Sequence, residues 1–222
     1  MVSHSESDMF SNINKVVKFL VVTDFFVNSA FGSFAPVFAI FITTQINGGS
    51  AKVAGFAASI YWIVKSLIQL PIARFLDKSG SEAANFRAMF WGYFLSGFSP
   101  FAYIFITEPW QLYVVQGFLG VCMAWAVPAW YSTFTRHVDK WRISFEWSLE
   151  SVFSVGLATA AATAIGGYLA DTLGFKILFA AAGLVAVVSS LLLLALKSTL
   201  SSEEKLPPLE KVHPEHHHRK RH

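Results

Sequence analysis

VAGFAASIYWIVKSLIQLPIARFLDKSG, residues 53–80, is apolar from 53 to 76 and then turns sharply charged. Arg74, Asp77 and Lys78 fall within five positions, and Gly80 closes the stretch. A helix that crosses a bilayer needs about 20 apolar residues. The run is long enough to cross, and the charge marks where it leaves the hydrocarbon. Five more runs have the same character, at residues 17–43, 86–106, 110–133, 148–170 and 176–196. Hydrophobic residues make up 54% of the 222, and charged residues 14%, against about 25% charged in soluble domains. Six such helices folded in water would leave almost no polar surface, which excludes a soluble domain. The backbone must satisfy its own hydrogen bonds in lipid. The expected fold is therefore all-α and integral to the membrane, with six transmembrane helices.

Lys and Arg give the orientation. Lys15, Lys18, Arg74, Lys78, Arg87, Arg136, Lys140 and Arg142 fall on one side, and six further cations follow residue 196 on that same side. Only Lys52 and Lys176 fall on the other. Positive residues stay cytoplasmic, so both termini are expected in the cytoplasm of a multi-pass cell (inner) membrane protein. The net charge of +3 then reflects topology and does not point to nucleic acid. The chain divides into a polar N-terminal segment (1–16), a six-helix domain (17–197) and a polar tail (198–222) expected to be disordered. The tail ends in HPEHHHRKRH, a composition that can meet a transition metal or anionic headgroups or simply stay solvated. The N-terminal stretch is polar and shows no small-residue cleavage pattern, so no signal peptide is expected. Cys122 is the single cysteine and is expected to pack.

The charged turn also carries a resemblance. Ala73-Arg74-Phe75-Leu76-Asp77-Lys78-Ser79-Gly80 resembles the loop between helices 2 and 3 of the major facilitator superfamily in its aspartate, following cation and closing glycine. It departs at Ala73 and at Ser81-Glu82. Residues 48–77 look like that family's second helix. Gln116-Gly117 resembles its helix 4 motif, with Tyr113 where an arginine is usual. Gly166-Gly167 resembles its helix 5 pattern, with Thr163 in place of proline. The resemblance spans residues 17–196 and implies a solute transporter, one six-helix half of a twelve-helix fold. It also implies that Arg74, Asp77, Lys78 and Gly80 form a conformational latch, with Asp77 near a helix N-terminus of the opposite half. There a carboxylate gains about 0.3–1 kcal/mol. The two halves of this family share one orientation, so two copies can pair as a parallel dimer. Asp77 would then face the segment from Trp141 to Ser148 in the other copy. A separately encoded second half and a truncated remnant are the alternatives.

Ionisable residues at bilayer depth cost about 2.5–3.5 kcal/mol, so they face a partner or a wet cavity. Asp24, Lys65 and Glu150 stand out. At about 1.5 Å per residue, Asp24 lies roughly 9 Å beyond Lys18, Asn28 roughly 15 Å, Lys65 roughly 13–14 Å from Arg74, and Glu150 about 9 Å beyond Ser144. Asp24 and Asn28 share a helix face. These four are expected to line a pathway for substrate or protons, with Lys65 meeting an anion. The alternatives are a static Asp24–Lys65 ion pair and a Glu150 that reaches the interface beside Glu146. Phe31, Trp62, Trp91 and Trp125 are candidate cavity aromatics. Pro36, Pro71, Pro100 and Pro128 are expected to bend or end helices. Gly156, Gly166 and Gly167, with Ala160 and Ala164, form a small face for helix packing.

No histidine lies within a run, and no nucleotide-binding motif is present. Enzymatic and ATP-driven functions are therefore not expected, and neither a cofactor nor a metal is required. The reading is a secondary transporter of a small solute, acting with membrane lipid, possible proton coupling and a second six-helix unit. The alternative is a membrane interaction or assembly protein that keeps the fold without transport.

Overall fold

The structure, a computed structural model, describes residues 13–203. The His-rich end and most of the polar N-terminal segment lie outside those residues. Six rods account for nearly all of it: α1 (Lys15–Gln45), α2 (Ala51–Ser79), α3 (Glu82–Ser96), α4 (Pro109–His137), α5 (Ile143–Thr172) and α6 (Phe175–Glu203). The last rod runs past residue 197 into the segment expected to be irregular.

Local chemistry sets the rod ends. Asn14, Ser50 and Ser81 each accept a backbone N–H of the helix they precede, at 2.7, 3.3 and 3.3 Å. Such caps satisfy donors that the first turn leaves open. Glu108 and Gln111 form a reciprocal capping box ahead of α4, with Pro109 at its first turn. Gly80, at φ +57°, ends α2 in the left-handed region and returns its N–H to the Leu76 carbonyl at 3.2 Å, a conformation a side chain would strain.

Two links tie the ends together. Asn47, after α1, donates through its backbone to Thr107 (2.9 Å) and through its side chain to Glu108 (2.9 Å). At the opposite end, Arg136 donates to the Gly80 carbonyl at 3.3 Å. The connections thus alternate between the two ends of an up-and-down bundle. One apolar cluster, from Ile13 through Leu76 and Phe134 to Leu193, fills the end that carries most cations. A ring-rich second cluster of Phe34, Phe41, Tyr103 and Phe179 fills the other.

Neighbouring rods follow the order α2, α4, α3, α6, α1, α5. The two outermost in this series are the least covered. Only 6% of the apolar stretch of α2 and 17% of that of α5 are buried, against 56% for α4.

Three departures from the expected rods have physical causes. The third run is not one helix. α3 stops at Ser96 and a single turn, Ser99–Tyr103, continues it. Pro100 has no N–H to return to the Ser96 carbonyl, and Gly97 and Phe98 bond to Tyr93 and Leu95 instead. Among the described residues, five helices rather than six are therefore individually long and apolar enough to cross. Pro36 similarly sits in a 3-10 turn, Ala35–Val37, inside α1, whereas Pro71 and Pro128 leave α2 and α4 unbroken. Finally, α5 contains a wide π-helical segment, Ser151–Leu157.

The small face of α5 also differs from expectation. Gly166 is buried against α1, and a Cβ there would lie 1.7 Å from the Ser33 carbonyl oxygen. Thr163 adds a bond to the Gly32 carbonyl at 3.2 Å. Gly167 has no neighbour within 4 Å of such a position, and Gly156 meets only its own helix. Ala160 and Ala164 are exposed. The buried small residues are Ala158, Ala162 and Gly166. Gly166→Ala is accordingly expected to lower stability by about 1–3 kcal/mol through overpacking. Gly167→Ala should leave it unchanged. Thermal unfolding of both variants in detergent checks the contrast.

Candidate functional site

A cavity of about 820 Å³ lies on the concave side formed by α1, α2, α4 and α5. α1 contributes Asp24, Asn28 and Phe31, α2 Tyr61, Trp62 and Lys65, α4 Gln116 and Trp130, and α5 Trp147 and Glu150. Tyr93 from α3 and Tyr103 from the turn after it reach the same space.

The polar floor is built around Asp24. Asn28, one turn along α1, donates to Asp24 Oδ2 at 2.7 Å. The Tyr93 hydroxyl donates to Asp24 Oδ1 at 3.2 Å. The carboxyl of Glu150, from α5, lies beside that of Asp24 on the same floor. Ser154, in the π-helical segment, places its hydroxyl 2.8 Å from Glu150 Oε2 and 3.0 Å from the Val21 carbonyl oxygen. Two carboxyls set side by side away from water repel each other when both are ionised. α1, α3 and α5 converge on this one carboxyl pair.

Four expected pathway residues thus line a single cavity, but their pairing differs from the sequence reading. Glu150 is 4% exposed and turns inward to Asp24. It does not reach the interface beside Glu146, which is itself buried and accepts the Asp139 N–H at 3.3 Å. Lys65 makes no ion pair with Asp24 among the described residues. Its ammonium stands over Trp62 at 4.8 Å and Tyr61 at 5.9 Å from the ring centroids. Lys65 is on α2 and Asp24 on α1, and no ladder of intervening contacts draws them together.

The aromatics divide in the same way. Phe31 and Trp62 line the cavity. Trp91 and Trp125 instead line a separate apolar groove with Phe75 and Arg87. Arg74, Asp77, Lys78 and Gly80 are all exposed at the turn after α2. Asp77 makes no hydrogen bond or ion pair among the described residues. Cys122 is buried and free. The described residues hold no group of three His, Cys, Asp or Glu able to bind a metal.

Sequence reasoning missed Tyr93, Tyr103, Gln116, Trp130 and Ser154 as cavity or floor residues. A lone hydroxyl or indole within an apolar run gives no sign of which neighbour it faces. Their helix phase was legible only after the rods were packed.

Long apolar rods around a half-open cavity with a polar floor mark an integral membrane protein. The model of the Major Facilitator Superfamily matches residues 20–219, so the chain belongs to that family, a class of membrane transporters. No curated protein matches the chain.

The geometry separates a real pair from an absent one. In double-mutant cycles read by thermal unfolding, Asp24→Leu with Tyr93→Phe is expected to couple by about 0.5–3 kcal/mol. Asp24→Leu with Lys65→Met should add within about 0.5 kcal/mol.

Proposed function

We propose that the protein is a secondary active transporter that moves a small solute by alternating access, with proton coupling at Asp24 and Glu150. The observation that carries this reading is the carboxyl pair on the cavity floor, held by Tyr93, Asn28 and Ser154. A proton delivered to or taken from this pair changes the charge of a site walled by α1 and α5. Alternating access in this fold comes from two six-helix units rocking around a midplane site. Exposed α2 and α5 are the surfaces such a partner would cover, closing the cavity into a pathway.

A parallel pair sets α2 of one unit against α5 of the other. The exposed small residues Gly156, Ala160 and Ala164 suit close approach there. Asp77 stands free at the end of α2. The first turn of α5 has no side-chain cap at Arg142, so a carboxylate from a second unit fits the positive end of that helix. The partner is a twin copy or a second half of the same fold. The latch formed by Arg74, Asp77, Lys78 and Gly80 would hold one state of the pair. The cation-bearing end of the bundle faces the cytoplasm of the cell membrane by the positive-inside rule.

Two experiments test this. In reconstituted liposomes carrying an internal pH dye, a panel of sugars, amino acids, organic anions and organic cations should include a solute that drives proton movement. Asp24→Asn and Glu150→Gln should each abolish it. Protein that inserts and pairs yet moves no proton with any of them would favour an interaction or assembly role. For the pairing, Asp77→Cys with Ser144→Cys on a Cys122→Ser background should crosslink as a dimer in lipid. A strictly monomeric product counts against it.

A further inference from the structure

Donors and acceptors in the cavity are not balanced. Both oxygens of Asp24 already accept, from Asn28 and Tyr93, and Glu150 Oε2 is bonded by Ser154. The two carboxyls are largely spoken for, whereas the Lys65 ammonium and the Trp130 N–H are not. The Trp130 indole N–H and the Tyr103 hydroxyl are buried, at 5% and 1% exposure, with no hydrogen-bond partner among the described residues. Gln116, 7% exposed, likewise makes no hydrogen bond among the described residues. Lys65 adds a full positive charge whose nearest companions are ring faces and not a carboxylate.

Building on the transporter reading, we infer that the cavity takes a small organic anion with an apolar or aromatic body, its charge met by Lys65 and the Trp130 N–H. An organic cation would find both carboxyls already bonded and would be repelled by Lys65. A polyol needs acceptors as well as donors, and this wall is mostly rings. A bare inorganic anion would leave most of the roughly 820 Å³ unfilled, in a size range that suits a small organic molecule. The rings of Tyr61 and Trp62 flank the ammonium, so the body of the anion packs on the surface that positions its charge. Lys65 and Trp130 are here ligand-contacting residues, and Gln116 and Tyr103 each add a donor and an acceptor to the lining.

Three probes of matched shape separate the charge types: benzoate, benzylamine and benzyl alcohol. The full chain in lipid nanodiscs, unfolded thermally over a concentration series of each, should show Tm rising with benzoate alone. Lys65→Met should weaken the apparent benzoate affinity at least about tenfold, the size of one hydrogen bond to a charged group. Trp130→Phe keeps a ring and removes only the N–H, and should weaken it several-fold. Stabilisation by benzylamine as strong as by benzoate, or no benzoate response, overturns the inference. So does a benzoate response that both variants retain. The readout does not depend on transport. A preference for benzylamine would end the anion assignment and leave solute-driven proton flux standing. Benzoate binding without any such flux would instead end the transporter reading.

Discussion

Hydrocarbon offers a polar group no partner, and this constraint shapes every part of the molecule. Backbone amides answer it by forming helices. The side chains of Asp24 and Glu150 answer it by meeting each other, with Tyr93, Asn28 and Ser154 supplying the remaining bonds. That meeting needs α1, α3 and α5 at one place, so the polar floor also sets how the rods pack. The apolar effect that drives soluble cores is weak between helices already in lipid. Close backbone contact and these few buried bonds take its place, which is why Gly166 against Ser33 matters as much as any large side chain.

The rods, their number of runs and their ends were legible because each depends on local chemistry. Length, apolarity, a capping Ser or Asn, and Gly80 after a charged turn are read one residue at a time. The break at Pro100 was legible as a site of bending, but its extent depended on Gly97 fitting against Val187 of α6. The floor was half legible. Charges at bilayer depth announced Asp24, Lys65 and Glu150, and helical spacing announced Asn28. Which of them would pair was a matter of packing, and distance estimates along separate rods carry no rotation. Lys65 therefore turned out to face rings, and Glu150 turned out to face Asp24.

Exposed α2 and α5 have a clear relation to the cavity. The two rods that cover themselves least are also two of those that wall the polar space. Any neighbour that shields their apolar faces must also close that space. In the proposed pairing, access to the site and assembly of the two units are governed by one surface.

The π-helical segment of α5 bears on rotational phase. Buried positions on this rod recur at 146, 150, 154, 158, 162 and 166, a strict period of four. An ordinary α-helix turns about 100° per residue, so Glu150 and Gly166 would point roughly 160° apart. A widened turn winds more slowly and takes back much of that drift. One rod can then present a carboxyl near one end and a glycine near the other to the same neighbour. The insertion works as a vernier: it keeps two distant contacts in step that a regular screw would pull apart.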